Sequence, residues 1–217
     1  MSVSPKKALG QHFLVDRNLL AVIERLANLS PDDVVLEVGP GLGVLTTFLA
    51  DRVRHVHAIE LDRRLEAPLG DALDGRTNVG LVFGDALAVD FGALEPPPSK
   101  LVANLPYNVA TPLVAETLIG VPTFGSWCVM VQREVADRFF AEPGKKADGA
   151  VSVLVRLHAR RTGLHPVSRT VFRPQPNVDS TLVAFRRTKL PDGYSDVKRL
   201  VEAGFAHRRK TLPNSLE

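Results

Sequence analysis

One cysteine, one tryptophan, two tyrosines and two methionines are spread over 217 residues. A lone Cys128 excludes an internal disulfide framework and a cysteine-rich zinc site. Its setting, Ser126-Trp127-Cys128-Val129-Met130-Val131, reads as a buried strand in which the thiol serves as a small hydrophobe. Long apolar runs are missing too. No stretch approaches the ~20 residues that cross a bilayer, and the opening Met1-Ser2-Val3-Ser4-Pro5-Lys6-Lys7 lacks the apolar stretch of a signal peptide. A cytoplasmic location without membrane contact is the expectation. The six histidines are scattered and unpaired, so no metal site and no histidine base is expected.

Apolar residues make up 45% of the chain, enough for one large domain or one domain with a small appendage. Net charge is +3, unevenly placed. Residues 154–217 carry 13 Lys and Arg against 5 Asp and Glu, whereas residues 1–153 carry 14 against 19. A basic half beside an acidic half suits a polyanion partner on one surface. The clusters Arg160-Arg161, Arg186-Arg187 and Arg208-Arg209-Lys210 add to that reading, although charge alone equally describes a solvated face.

Periodicity alternates between strand and helix. Leu19, Leu20, Ile23, Leu26 and Ala27 recur at helical spacing, with Asp16 or Asn18 as cap. Strands are expected at 34–38, 55–60, 79–83, 101–103 and 127–131, and helices at 44–50, 63–73, 112–119 and 133–141. The prolines of Glu95-Pro96-Pro97-Pro98-Ser99 mark a loop. Beyond Gly149 one further helix is expected at 151–158, β-like segments at 164–171 and 181–185, and a helix at 197–206. Such alternation predicts a doubly wound α/β domain.

Chemistry concentrates where strands end. Glu37-Val38-Gly39-Pro40-Gly41-Leu42-Gly43 joins the first strand to its helix. A dinucleotide fingerprint would need glycine at position 44, which here is Val44. An acidic residue before G-x-G-x-G instead resembles the S-adenosylmethionine loop of Rossmann-like methyltransferases, with Glu37 facing the positive methionine end. Glu60 ends the second strand, 21 positions after Gly39, where a carboxylate can accept from ribose hydroxyls. Asp85 follows the third strand and can accept from an adenine amine. A single strand-end carboxylate is commonly a helix cap; three at successive strand ends point to a ligand.

Asn104-Leu105-Pro106-Tyr107-Asn108 follows the apolar run Leu101-Val102-Ala103. In isolation it could be a proline turn with a buried tyrosine. It also suits a flat ring bearing an amine. The Asn104 side chain and the Leu105 or Pro106 carbonyl can accept the two N–H groups, and Tyr107 can cover the ring. An exocyclic amine is a poor nucleophile because its lone pair is delocalised. Holding both its hydrogens localises that pair, and in-line transfer then rests on positioning and fixed dipoles.

Taken together these blocks resemble the ribosomal RNA adenine dimethyltransferase family (KsgA type). The likeness runs from Lys7-Ala8-Leu9-Gly10-Gln11-His12-Phe13-Leu14 to Phe205-Ala206-His207-Arg208-Arg209-Lys210-Thr211-Leu212. It includes Ile59-Glu60-Leu61-Asp62, Gly84-Asp85-Ala86 and Phe172-x-Pro174-x-Pro176-x-Val178-Asp179-Ser180. The resemblance implies a Rossmann-like fold, a mixed seven-stranded sheet with helices on both faces. It implies transfer of methyl groups from S-adenosylmethionine to two adjacent adenosines near the 3′ end of small-subunit rRNA, within a 30S precursor particle, by a monomer. Cofactor contacts are implied for Gln11, His12, Leu14, Glu37, Gly39, Gly41, Glu60, Leu61, Asp85, Ala86 and Asn104. Catalytic placement is implied for Asn104, Leu105, Pro106, Tyr107 and Phe172, with Tyr107 and Phe172 on the two faces of the target base.

The sequence departs from the family pattern twice. His12 stands where many members have asparagine. The family also continues for several tens of residues as a helical domain, so 1–190 is expected to be the catalytic domain and 191–217 the start of that second domain. Leu216-Glu217 resembles a cloning scar, and a shortened chain is expected to bind cofactor but dock on the subunit poorly. The alternatives are a macrolide-resistance methyltransferase (Erm type) acting on large-subunit rRNA, a non-catalytic assembly factor, and a DNA adenine methyltransferase. Leu105 favours the small-subunit enzyme, Asn104 disfavours the DNA enzyme, and the intact loop disfavours lost chemistry.

Overall fold

The fold follows from four short apolar strands that are buried on both faces and so need helices on each side. The computed structural model describes residues 11–206. In chain order the first elements are β1 (Phe13–Leu14), α1 (Asn18–Ala27), β2 (Val34–Val38), α2 (Val44–Ala50), β3 (His55–Glu60), α3 (Glu66–Ala72), β4 (Val79–Phe83) and β5 (Lys100–Asn104). Then come α4 (Ala110–Gly120), β6 (Ser126–Gln132), α5 (Arg133–Phe139), α6 (Ala150–His158), β7 (Ala159–Val167), β8 (Phe172–Arg173), β9 (Ser180–Arg187) and α7 (Tyr194–Ala206).

Seven strands form one sheet in the order β4-β3-β2-β5-β6-β9-β7. β4 through β6 run parallel, and β9 pairs antiparallel with both β6 and β7. Chain order reverses between β2 and β5. In open α/β sheets that switch point, at the carboxyl ends of the strands, is where ligands bind.

Two apolar layers sandwich the sheet. One gathers α4, α5 and α6 around Trp127, Phe139 and Phe185; the other packs α1 and α2 on Val35, Val56 and Met130. Trp127 stacks on Phe185 with centroids 5.2 Å apart and donates to Thr117 at 3.0 Å. Cys128 is buried, which pushes its thiol up to about 12, so it packs as the inert hydrophobe its sequence setting implies.

Several boundaries differ from expectation for local reasons. The helix expected at 63–73 divides into a 3₁₀ turn, Arg63–Leu65, and α3, because the Asp62 carboxylate accepts from the Arg64 N–H and tightens the first turn. β7 begins at Ala159 and ends at Val167, earlier than the 164–171 reading. It is an edge strand of the sheet and largely exposed, so its apolar content understates it. Residues Arg169–Val171 form a 3₁₀ turn instead. The β-like segments past 160 complete the main sheet. Asp16 takes the capping role before α1, accepting from the Asn18 N–H at 2.7 Å.

Candidate active site

A cavity opens at the switch point. Its walls come from the carboxyl ends of β2, β3, β4 and β5, together with the segment that leads into β1.

The glycine loop fits because it has no side chains. Gly39 and Gly41 have φ of +75° and +62°, a region that penalises any Cβ. A Cβ on Gly41 would stand 2.9 Å from the Phe13 ring, and one on Gly39 would lie 3.3 Å from the Pro106 ring. The loop is therefore held between the β1 segment and the Asn104–Tyr107 turn. Two of its amides are engaged within the protein: the Gly39 N–H donates to the Ile59 carbonyl and the Gly41 N–H to Glu60 Oε2 at 3.1 Å.

Glu60 is a fixed carboxylate. Its other oxygen, Oε1, accepts from the Asp62 N–H at 2.8 Å. Burial raises its pKa, and the two backbone donors oppose that. Each oxygen keeps a lone pair for an outside donor such as a hydroxyl. Asp62, given no role by sequence, ties the region together. Arg64 holds its carboxyl well below the usual carboxylate range, and Gln11 donates to it at 3.0 Å. Gln11 thereby fastens the entering chain over the cavity. The acidic pair in Glu60-Leu61-Asp62 was the available signal.

Glu37 lies deeper. It is 1% exposed, and burial pushes its carboxyl up to about 8, with the neighbouring Glu60 charge adding and the Thr46 hydroxyl opposing. No donor among the described residues reaches its Oε2. It lines a smaller hollow of about 320 Å³ that shares His12, Gly39, Gly41 and Asn104 with the main cavity. Leu14 is buried and reaches only the smaller hollow, as part of the core. Leu61, Asp85 and Ala86 line the main cavity; Asp85 is exposed and accepts from the Leu87 N–H.

The Asn104–Tyr107 turn closes the far wall. Asn104 donates through Nδ2 to the His12 carbonyl at 3.1 Å, which leaves Oδ1 as its acceptor atom. Leu105 buries its side chain and donates its N–H to the Met130 carbonyl. The Pro106 carbonyl accepts from the Val109 and Ala110 N–H groups that start α4. Tyr107 bonds its hydroxyl to Ser180 at 2.9 Å, and burial raises its pKa, so the ring is neutral. Ser180, at the start of β9, was quoted only as part of a motif; its anchoring role needs the tertiary contact.

Phe172 departs from expectation. It does not line the cavity: β8 pairs with β1, Leu14 opposite Phe172, and its ring is 1% exposed inside the α1–α2 layer. The two-strand ladder places it on the core side. The aromatic beside Tyr107 is His12, its centroid 5.6 Å away and tilted 33°, with Nδ1 bonded to the Pro174 carbonyl at 2.7 Å.

Set beside known proteins, the whole chain finds counterparts. The sequence model described as "Ribosomal RNA adenine dimethylase" matches residues 3–217. The chain belongs to the ribosomal RNA adenine dimethylase family. It is 50% identical over 213 residues to the ribosomal RNA small subunit methyltransferase A of Rubrobacter xylanophilus, covering 98% of this chain and 80% of that protein. Its identity to the same-named protein of Thermobifida fusca is 47%, covering all of this chain and 78% of that one. Among solved structures, a dimethyladenosine transferase from Plasmodium falciparum superposes with a TM-score of 0.81 at 28% identity, covering 94% of this chain and 74% of that one. The 23S rRNA methyltransferase ErmE superposes with 0.77 at 32%, covering 94% and 83%. Within the family match, the blocks at 7–10 and 207–212 lie outside the described residues.

Proposed function

We propose that this chain is an S-adenosylmethionine-dependent adenine N6-dimethyltransferase acting on small-subunit rRNA. The observation that carries the reading is the meeting of Glu60, Asp85 and the Asn104–Tyr107 turn around one cavity, with Glu37 on the adjoining hollow, in a ribosomal RNA adenine dimethylase. The residues suit the cofactor. Glu60 offers two aligned oxygens to a ribose, Asp85 an acceptor to an adenine amine, and Glu37 a buried oxygen with no other donor. Bound there, S-adenosylmethionine supplies a methyl group made electrophilic by its sulfonium.

The chain's own part is to aim an amine. Asn104 Oδ1 is the side-chain acceptor, because its Nδ2 is occupied by the His12 carbonyl. With the Pro106 carbonyl engaged in starting α4, the Leu105 carbonyl is the backbone acceptor in this reading. Two acceptors on the two N–H groups draw the nitrogen toward a tetrahedral shape, and its lone pair then faces the methyl. Tyr107, fixed by Ser180, stacks on the extruded base, a contact worth about 1–3 kcal/mol. His12, rather than a Phe172 in its present place, is the ring nearest Tyr107.

The small-subunit target draws support from relatives with that name at 41–50% identity, against 32% for the 23S enzyme. The finer parts of the reading are a 30S precursor as substrate, a monomeric enzyme, a cytoplasmic site of action and α7 as the opening helix of a second unit. No helix among the described residues is long and apolar enough to cross a membrane. Primer extension on both rRNAs, after treatment of unmethylated ribosomal subunits, tests the function. Methylated adenosines near the small-subunit 3′ end are expected. Asn104→Ala is expected to lower transfer by about 10²–10³-fold with folding and cofactor binding retained; equal activity would overturn the role of the turn.

A further inference from the structure

Glu37 presents an unusual situation for a carboxyl group. It sits at the end of a central strand, 1% exposed, and no donor among the described residues reaches Oε2. The titratable groups around it are Glu60 at the end of β3 and, across the shared hollow, His12, whose Nδ1 is bonded to the Pro174 carbonyl. Thr46 on α2 is its polar neighbour. The two carboxyls are unequal. Burial pushes both carboxyls up, but Glu60 has a backbone N–H on each oxygen to favour its charged form, whereas Glu37 is opposed only by the Thr46 hydroxyl and also feels the like charge of Glu60. When two close carboxyls differ in this way, the proton resides on the more deeply buried one with fewer donors.

Resting on the cofactor reading above, we propose that Glu37 is a protonated carboxylic acid in the free protein and releases that proton when the α-ammonium group of the cofactor's amino-acid end enters. The carboxyl O–H bond breaks, its electron pair stays on the carboxylate, and the proton passes to solvent. The cation then supplies the countercharge that the protein withholds. Binding energy is thereby linked to ligand charge: a nucleoside without the cationic end meets a neutral group and gains nothing from it. With the free carboxyl near 8, cofactor affinity is expected to rise up to tenfold per pH unit as pH climbs toward about 8.

Calorimetry on the full chain at about pH 6.5, where a free α-amino group of pKa about 8 is already charged, tests this. Titrations in two buffers of different ionisation enthalpy count protons. S-adenosylmethionine is expected to release about one proton from the wild type and none from Glu37→Gln. 5′-Methylthioadenosine, which lacks the amino-acid end, is expected to release none from either. S-Adenosylmethionine binding with no proton release, or with equal release from Glu37→Gln, overturns the proposal alone. Failure of both nucleosides to bind overturns the cofactor reading instead. Should Glu37→Gln not fold, carboxyl ¹³C resonances of the wild type decide: Glu37 is expected to titrate near pH 8 when free and to stay ionised when the cofactor is bound. An ordinary carboxylate titration in the free protein would sink the idea.

Discussion

Charge inside the fold is treated in opposite ways at the two ends of the sheet. At the far end, Arg187 donates to the carbonyls of Leu118, Val121 and Phe124 at 2.6–2.9 Å and lies over the Trp127 ring. It closes the carboxyl end of α4, whose last carbonyls have no helical partner. Lys100 pairs with Asp33 at 2.7 Å and also donates to the Ala27 and Asn28 carbonyls at the end of α1. Those cations are saturated, and both terminate helices. At the cavity end Glu37 is more deeply enclosed yet has an oxygen with no donor, and Glu60 keeps lone pairs beyond its two backbone bonds. A saturated charge serves the fold alone. An under-supplied one costs stability in the free protein and gains it back when a ligand brings the missing partner.

The sharpest way to break this contrast is Arg187→Ala. It leaves several carbonyls and one tryptophan face without their partner, and should cost at least about 3 kcal/mol of unfolding free energy. Denaturant melts would show it. Cofactor affinity of the protein that stays folded should be unchanged, since the site lies at the opposite end of the strands. A shifted affinity would mean the two ends are coupled.

Glu37→Gln sharpens the other side. Its folded value, about 8, lies above the ordinary 4.5, so the stability this group contributes is complete below about pH 4.5 and is lost as pH rises through about 8. The free wild type should therefore weaken across that window by up to ~1.4 kcal/mol per pH unit relative to Glu37→Gln. Parallel stability profiles for the two proteins would contradict it. The smallest effect is expected from Ser180→Ala. Loss of its bond to Tyr107 should cost about 1 kcal/mol, seen as reduced methyl transfer with unchanged cofactor affinity. Equal loss in a protein that also carries Tyr107→Phe would show that the hydroxyl contact is the path of the effect.

Strand-end chemistry was legible because it is local. A glycine loop, Glu60, Asp85 and the Asn104–Tyr107 turn each announce themselves within a few residues, and parallel strands buried on both faces read as plain apolar runs. The outer strand β7 was misjudged because one exposed face dilutes its apolar signal. The two-residue strands β1 and β8 carry no periodicity at all, yet their pairing brings Phe13 onto Gly41 and turns Phe172 into the core. Ser180 could not be seen as a support for Tyr107, since 73 residues separate them.

The amino-acid sequence by itself determined the class of fold, the order of its strands along the chain and the set of polar residues at their ends. Only the tertiary structure decided which of those residues are satisfied. Whether Asn104 has one amide atom to spare, whether the Pro106 carbonyl is taken, and whether Glu37 meets a donor all depend on groups brought in from distant segments. Hydrogen bonding and burial belong to three-dimensional neighbours, and those neighbours fix the charge state and the direction in which each site residue acts.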